Sequence, residues 1–320
     1  MSILIILLYL LVFPGLIFLL LYSIFCEWVD RKLYARFQNR VGPPIYQPFA
    51  DFIKLMAKDD ITPESVNPSI MATVPLIAFA AAITAFMYIP IIGSTALSSF
   101  QGDLIVVLYL LTIPTLALFI AGWYSKNLFG TIGAMRCMTQ LFSYEVPLLL
   151  VMLGPAILAG SWSITDIINY QVAHPWVVLA TQPLGFMVAL VALQGKLERI
   201  PFDLPEAETE IVGGPLVEFT GRKLAIFRLV FDMEMVVVAS LISVLFLGGF
   251  MQYGPVPGIV FFFVYTLIIV FILACLRALF ARIRIDQMTV FCWKYLAPLA
   301  IIQLLVVVLI KAYGSGWGWF

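Results

Sequence analysis

Charge is what this chain has least of. Of 320 residues, 18 are Lys or Arg and 18 are Asp or Glu, 11% of the whole, against about 25% in a soluble domain. The remainder is 63% hydrophobic, more than a water-soluble fold can cover, so the composition points to a polytopic helical membrane protein. Histidine is nearly absent too. His174 is the one example, in a short loop with no ligand partner nearby. The four cysteines, Cys26, Cys137, Cys275 and Cys292, lie far apart, in or beside apolar runs. A metal centre or iron–sulfur cluster needs grouped thiolates, so these cysteines read as packing residues and no cofactor is expected in this chain. Phosphate-binding Gly-Lys-Ser/Thr loops, Gly-x-Gly-x-x-Gly turns and His-Glu-x-x-His pairs are missing as well. Those absences argue against nucleotide binding and zinc hydrolysis, and no nucleic-acid partner is expected. Neither repeats nor low-complexity linkers break the chain, so residues 1–320 read as a single polytopic membrane domain.

Apolar runs are what the chain has instead. Eight are long enough to span a bilayer, at about 2–26, 70–92, 104–124, 141–160, 177–195, 229–250, 256–276 and 293–312. The first lacks the basic start and small-residue cleavage site of a signal peptide, so it reads as a permanent span. Basic residues sort by loop parity. The first loop holds six Lys or Arg, the third two, the fifth five and the seventh four, with Lys311 at the end of the last span. Loops two, four and six hold none. The positive-inside rule therefore places the odd loops in the cytoplasm and both termini outside a cell membrane.

Four segments concentrate polar chemistry. The first, Glu27 to Asp60, carries Arg31, Arg36 and Arg40 with Gln38 between them, followed by Gly42-Pro43-Pro44 and Gln47-Pro48. Anionic lipid headgroups or the acidic face of a docked partner could accept such charge. A lipid patch, however, does not require the defined turn. The second runs from Arg136 through Ser143-Tyr144-Glu145. The third holds Asp203, Glu206, Glu208, Glu210 and Glu218, five carboxylates within 16 residues. Acids crowded beside a low-dielectric phase oppose each other's ionisation, as a proton relay requires. A helix over 206–218 would set Glu206 and Glu210 on one face. A solvated acidic loop balanced by Arg199, Arg222 and Arg228 is the rival reading. The fourth carries Arg282, Arg284 and Asp286, then Trp293-Lys294. Within apolar surroundings, Glu145 and Glu234 read as relay acids or as acids snorkelling to the cytoplasmic interface, and Asp232 reads as paired with Arg228 or as a third relay acid.

At these residues the chain resembles the H-subunit family of NADH:quinone oxidoreductase, respiratory complex I, called subunit 1 in mitochondria. The family pattern Glu-Arg-Lys, Gln-x-Arg-x-Gly-Pro, Gln-Pro, Asp and Lys-Leu is matched by Asp30-Arg31-Lys32, Gln38, Arg40, Gly42-Pro43, Gln47-Pro48, Asp51 and Lys54-Leu55. Ser-Tyr-Glu is matched at Ser143 to Glu145. The unbroken run Arg-x-Pro-Phe-Asp-Leu-Pro-Glu-Ala-Glu falls on Arg199 to Glu208, and Arg-x-Arg-x-Asp-Gln on Arg282 to Gln287. Asp30 replaces the usual Glu. The turn at 42–48 closes directly, without the Gly-rich insertion of quinone-reducing members. That compact form is similar to the membrane subunit of energy-converting [NiFe] hydrogenases and of sulfane sulfur reductase complexes. The resemblance implies an all-α integral membrane protein of about eight helices that docks a soluble arm and couples ferredoxin-linked electron transfer to H⁺ or Na⁺ movement. The arm would comprise hydrogenase-like large and small subunits and an Fe–S subunit, which would hold the [NiFe] centre and Fe–S clusters. Antiporter-like subunits would adjoin in the membrane. Docking is expected of Asp30, Arg31, Lys32, Arg36, Gln38, Arg40, Gly42, Pro43, Gln47, Asp51, Lys54, Arg136, Arg199, Arg282, Arg284 and Asp286. Ion passage is expected of Glu145, Asp203, Glu206, Glu208, Glu210, Glu218, Asp232 and Glu234. The same role in a sulfane sulfur reductase or quinone-reducing complex is the alternative, and a stand-alone secondary transporter is the distant one.

Overall fold

The computed structural model describes residues 9–13, 15–64, 66–91, 96, 99–247 and 255–314. The start of the first expected span and both chain ends lie outside them. The elements are α1 (Leu16–Phe37), α2 (Gln47–Met56), α3 (Pro68–Met87), α4 (Asp103–Tyr124), α5 (Leu128–Ala159), α6 (Ile164–Ala173), α7 (Pro175–Thr181), α8 (Pro183–Lys196), α9 (Glu208–Ile211), α10 (Gly221–Phe246), α11 (Pro255–Leu279), α12 (Ile285–Phe291) and α13 (Ala297–Gly314). No strand occurs among the described residues. The protein is an all-α integral membrane protein.

Among the described residues seven helices are long and apolar enough to cross a bilayer: α1, α3, α4, α5, α10, α11 and the rod formed by α12 and α13. A π-helical segment, Cys292–Leu296, joins the two parts of that rod. The apolar run at 177–195 is divided at Gln182, between α7 and α8. Pro183 supplies no N–H and biases the residue before it away from helix. At 14 residues, α8 rises only about 21 Å, short of the roughly 30 Å hydrocarbon core.

Several helices run past the expected span ends. α5 has 32 residues, about 48 Å, so Arg136 lies on a helix and not in a loop. α1 continues through Arg36, and α10 already includes Arg222, Lys223 and Arg228. Nothing ends a helix at the membrane surface, since backbone bonding satisfies itself in both phases.

α10 is the hub. Its second half is buried almost throughout, and α1, α3 and α11 pack around it. α4 lies between α3 and α5, and α5 in turn contacts α8 and α13. Two stitches hold the loops to this bundle. Asp60 accepts a hydrogen bond from the Arg222 backbone N–H at 2.7 Å, and Thr220 accepts from Ile61 N–H at 3.0 Å. Gly221 allows this at φ +58°, where a Cβ would run into Asp60 Oδ1. Farther along, the 3-10 turn Gly214–Leu216 settles against α4 and α5. A Cβ on Gly133 would meet Gly214 Cα at 2.7 Å, so the bare glycine is what admits the turn.

Candidate functional site

The site begins where α8 ends. Glu198 takes a left-handed backbone, φ +51°, and turns the chain back so that Arg199 enters the bundle. The Arg199 guanidinium reaches Asp30 at 2.9 Å and Glu27 at 3.3 Å, both on α1. Arg277 of α11 takes the other Asp30 oxygen at 2.9 Å. Arg31 bridges Glu27 at 2.5 Å and Asp51 of α2 at 3.0 Å. One ionic network thus joins α1, α2, α11 and the segment after α8. Breaking a pair of this kind strands a charge in low dielectric.

Beside the network lies a cavity of about 180 Å³, enough for several waters. Six carboxylates line it (Glu27, Glu198, Asp203, Glu206, Asp232 and Glu234) along with five cations, Arg31, Lys196, Arg199, Arg228 and Arg277. Glu206 pairs loosely with Arg228, 3.9 Å away. Asp232 and Glu27 face the same cavity from α10 and α1.

The inner wall is an ion pair. Lys196 Nζ stands 2.7 Å from Glu234 Oε1, with both side chains almost fully buried, and also donates to the Leu111 carbonyl. The Tyr144 ring lies 5.9 Å from the same ammonium. Past Lys196 is a second, small cavity of about 10 Å³, bordered by Tyr144, Glu145 and apolar residues of α4, α5 and α10.

Three groups outside the spans show how the site sets charge. Burial, then the neighbouring Glu206 carboxylate, pushes the Glu198 carboxyl up to about 8. The Cys137 thiol donates to Glu198 Oε1 at 3.4 Å and opposes that shift only in part. For Arg199 burial acts downward, but Asp30 and Glu27 outweigh it and hold the guanidinium above its ordinary value. At the surface the Arg136 hydrogen bond, 2.5 Å long, holds Glu210 below the usual carboxylate range.

A polar cavity entering an apolar bundle behind an ionic network is one half of the identification. The other is similarity. Residues 9–308 match the family described as NADH dehydrogenase. The chain belongs to the NADH dehydrogenase family. It is 37% identical over 286 residues to the H subunit of the NADH-quinone oxidoreductase of Dehalococcoides mccartyi (strain CBDB1), covering 87% of this chain and 80% of that protein. Against the H subunit of the Bacillus thuringiensis (strain Al Hakam) NADH-quinone oxidoreductase, identity is 36% over 315 residues and coverage is 94% of each. A chain of the membrane-bound sulfane sulfur reductase, an archaeal respiratory membrane complex, superposes with a TM-score of 0.84 at 30% identity, covering 91% of this chain and 96% of that one.

In this member of the NADH dehydrogenase family the expected ion-path acids part company. Asp203, Glu206, Asp232 and Glu234 share the large cavity, and Glu145 borders the small one. Glu210 is half exposed on Arg136, and Glu218 accepts from Asn127 at 2.5 Å. The helix proposed over 206–218 does not form. Only Glu208–Ile211 is helical, followed by the 3-10 turn, so Glu206 and Glu210 do not share a face. The side chain of Glu208 lies outside the described residues. Asp232 is not salt-bridged to Arg228, which turns to Glu206.

The basic residues divide similarly. Arg36, Gln38, Arg40, Lys54, Arg284 and Asp286 are exposed, whereas Arg31, Lys32, Gly42, Pro43, Gln47, Asp51, Arg136 and Arg282 are half buried. Asp30, fully buried, and Arg199, with its side chain only 14% exposed, are internal rather than docking surface. Glu27, Lys196, Glu198 and Arg277 join the site although their residue types alone did not nominate them. The i,i+4 acid–base spacing of Glu27 and Arg31 was a signal that could have found the pair. A lysine closing an apolar run was the one signal for Lys196.

Proposed function

We propose that this chain anchors the soluble redox arm of a multi-subunit, complex I-like respiratory complex and couples its electron transfer to ion movement across the cell membrane. The observation that carries the reading is the polar cavity, which leads from the loop-bearing end to a buried Lys196–Glu234 pair. In this reading the odd loops face the cytoplasm. The exposed Arg36, Arg40, Lys54 and Arg284 meet the arm, and its reduction displaces the loop carrying Asp203 and Glu206. Charge then shifts inward through Asp232, Glu234 and Glu145 towards antiporter-like subunits.

The energy-converting hydrogenase type suits the compact turn from Gly42 to Pro48, and likeness to a sulfane sulfur reductase chain supports that branch. The [NiFe] centre and Fe–S clusters would then sit in hydrogenase-like partners, with ferredoxin as donor. A quinone-reducing complex is the second reading. It is favoured by the NADH-quinone oxidoreductase relatives and by a cavity of about 200 Å³ between α1, α2 and α10, where Ile24, Phe52 and Leu229 adjoin Arg31 and Asp232.

The test is redox-driven ion uptake by vesicles carrying the assembled complex. Glu206→Gln and Glu234→Gln should each lower ions moved per electron by at least about tenfold. Wild-type ratios in both variants would end the coupling reading. Inhibition by quinone-site compounds would select the second branch.

A further inference from the structure

The two cavities are separate compartments, and among the described residues Lys196 is the one side chain that borders both. On one side stand Glu198 and Glu234, and on the other Glu145. A chain of carboxylates is therefore interrupted, where the two cavities adjoin, by an ammonium. That ammonium is 2% exposed, lies 2.7 Å from Glu234 and is tied to the Leu111 carbonyl. A metal cation crossing here would have to pass a buried positive charge. A proton need only step on and off the nitrogen.

We propose that Lys196 is the proton carrier between the two compartments, so that the species passed through this chain is H⁺. The inference rests on the coupling reading and specifies its ion and its junction. The Lys196 ammonium gives a proton to the Glu145 carboxylate, through the single water that about 10 Å³ admits. The amine so formed takes a proton from the Glu198 carboxyl, leaving a carboxylate that the cavity mouth reloads. Each step makes one N–H or O–H bond and breaks one. Glu234, 2.7 Å from the nitrogen, shares the Lys196 proton and holds the nitrogen in place between steps. The Cys137 thiol, hydrogen-bonded to Glu198 at 3.4 Å and to the Thr115 carbonyl at 3.5 Å, positions the donor.

Arginine separates carrying a charge from carrying a proton, since a guanidinium pairs with a carboxylate but does not deprotonate in proteins. The measurement is proton uptake by sealed vesicles containing the whole complex, driven by reduced viologen and read with a pH-sensitive dye. Lys196→Arg should reduce protons moved per electron by at least about tenfold while the thermal midpoint of the complex stays within a few degrees. Wild-type coupling in Lys196→Arg would overturn the proposal. Should the arginine prevent assembly, Lys196→Gln/Glu234→Gln leaves no buried charge, and coupling at the wild-type ratio in that variant would overturn it equally. Glu145→Gln separates the two levels. If it uncouples while Lys196→Arg does not, the relay stands and the carrier role falls. If neither variant uncouples, and Glu206→Gln and Glu234→Gln do not either, the coupling reading falls with it.

Discussion

Lys196 Nζ and Glu234 Oε1 meet at 2.7 Å inside the bundle, neither side chain more than 4% exposed. Removing one partner leaves the other as an uncompensated charge, which costs about 3–5 kcal/mol. Glu234→Gln should therefore lower the thermal midpoint of the purified complex. The apolar double replacement Lys196→Met/Glu234→Leu should recover most of that loss, because well-packed apolar side chains can substitute for a buried pair. A double variant as unstable as the single one would show that the two side chains do not act as a pair.

Arg199 carries two α1 carboxylates at once. Arg199→Met should be more damaging than Arg199→Lys, since only the guanidinium fork can reach both acids. The methionine variant is expected to lose about 3–5 kcal/mol and to expose the 198–205 segment to protease. Protease resistance equal to wild type in Arg199→Met would remove the network from the account.

Glu198 makes stability depend on pH. Its folded value, about 8, lies above the ordinary carboxyl value of 4.5. Between those values the folded state keeps a proton that the unfolded chain has lost. Stability therefore falls as pH rises from about 4.5 to about 8 and then levels. Glu198→Gln cannot titrate, so its midpoint should decline less than the wild type's across that window. Parallel melting curves of the two complexes from acid to alkaline pH would decide it.

The exposed arginines should govern docking through long-range attraction. Charge reversal at Arg36 and Arg40, both exposed, should weaken retention of the soluble arm on the order of tenfold at low salt. The difference should shrink at high salt, where screening shortens the reach of surface charge. Equal arm content in membranes of both forms at every salt concentration would assign these residues to lipid instead.

Gly133 tests the seat of the turn before α10. Gly133→Ala places a methyl 2.7 Å from Gly214 Cα, an overpacking worth about 1–3 kcal/mol. The same change at Gly213, where the nearest neighbour of a Cβ is 3.5 Å away, should be milder. Thermal midpoints of the two variants give the comparison.

Legibility in the sequence followed the range of the interactions. Apolar runs report residence in the hydrocarbon phase directly, so seven of the eight expected spans have a counterpart among the described residues, whereas the run at 177–195 divides at Gln182. Helix ends were less so: α1, α5 and α10 continue into polar sequence, where the hydropathy signal stops but backbone bonding does not. The acids of the third segment read as one cluster because they are neighbours in the chain. Their partners come from elsewhere. Arg136 draws Glu210 to the surface, and Asn127 takes Glu218, so among the described side chains of that segment Asp203 and Glu206 alone reach the cavity.

By itself the sequence determined the phase this protein lives in, its helical class and the motifs of its family, since each is a matter of composition or local order. Tertiary structure alone decided which charges meet. Asp30 finds Arg199 and Arg277 across distant helices, and Lys196 comes to stand between two cavities. The physical reason is that a buried charge is tolerated only where a partner is supplied, and the partner's place in space is set by helix packing, not by its place along the chain.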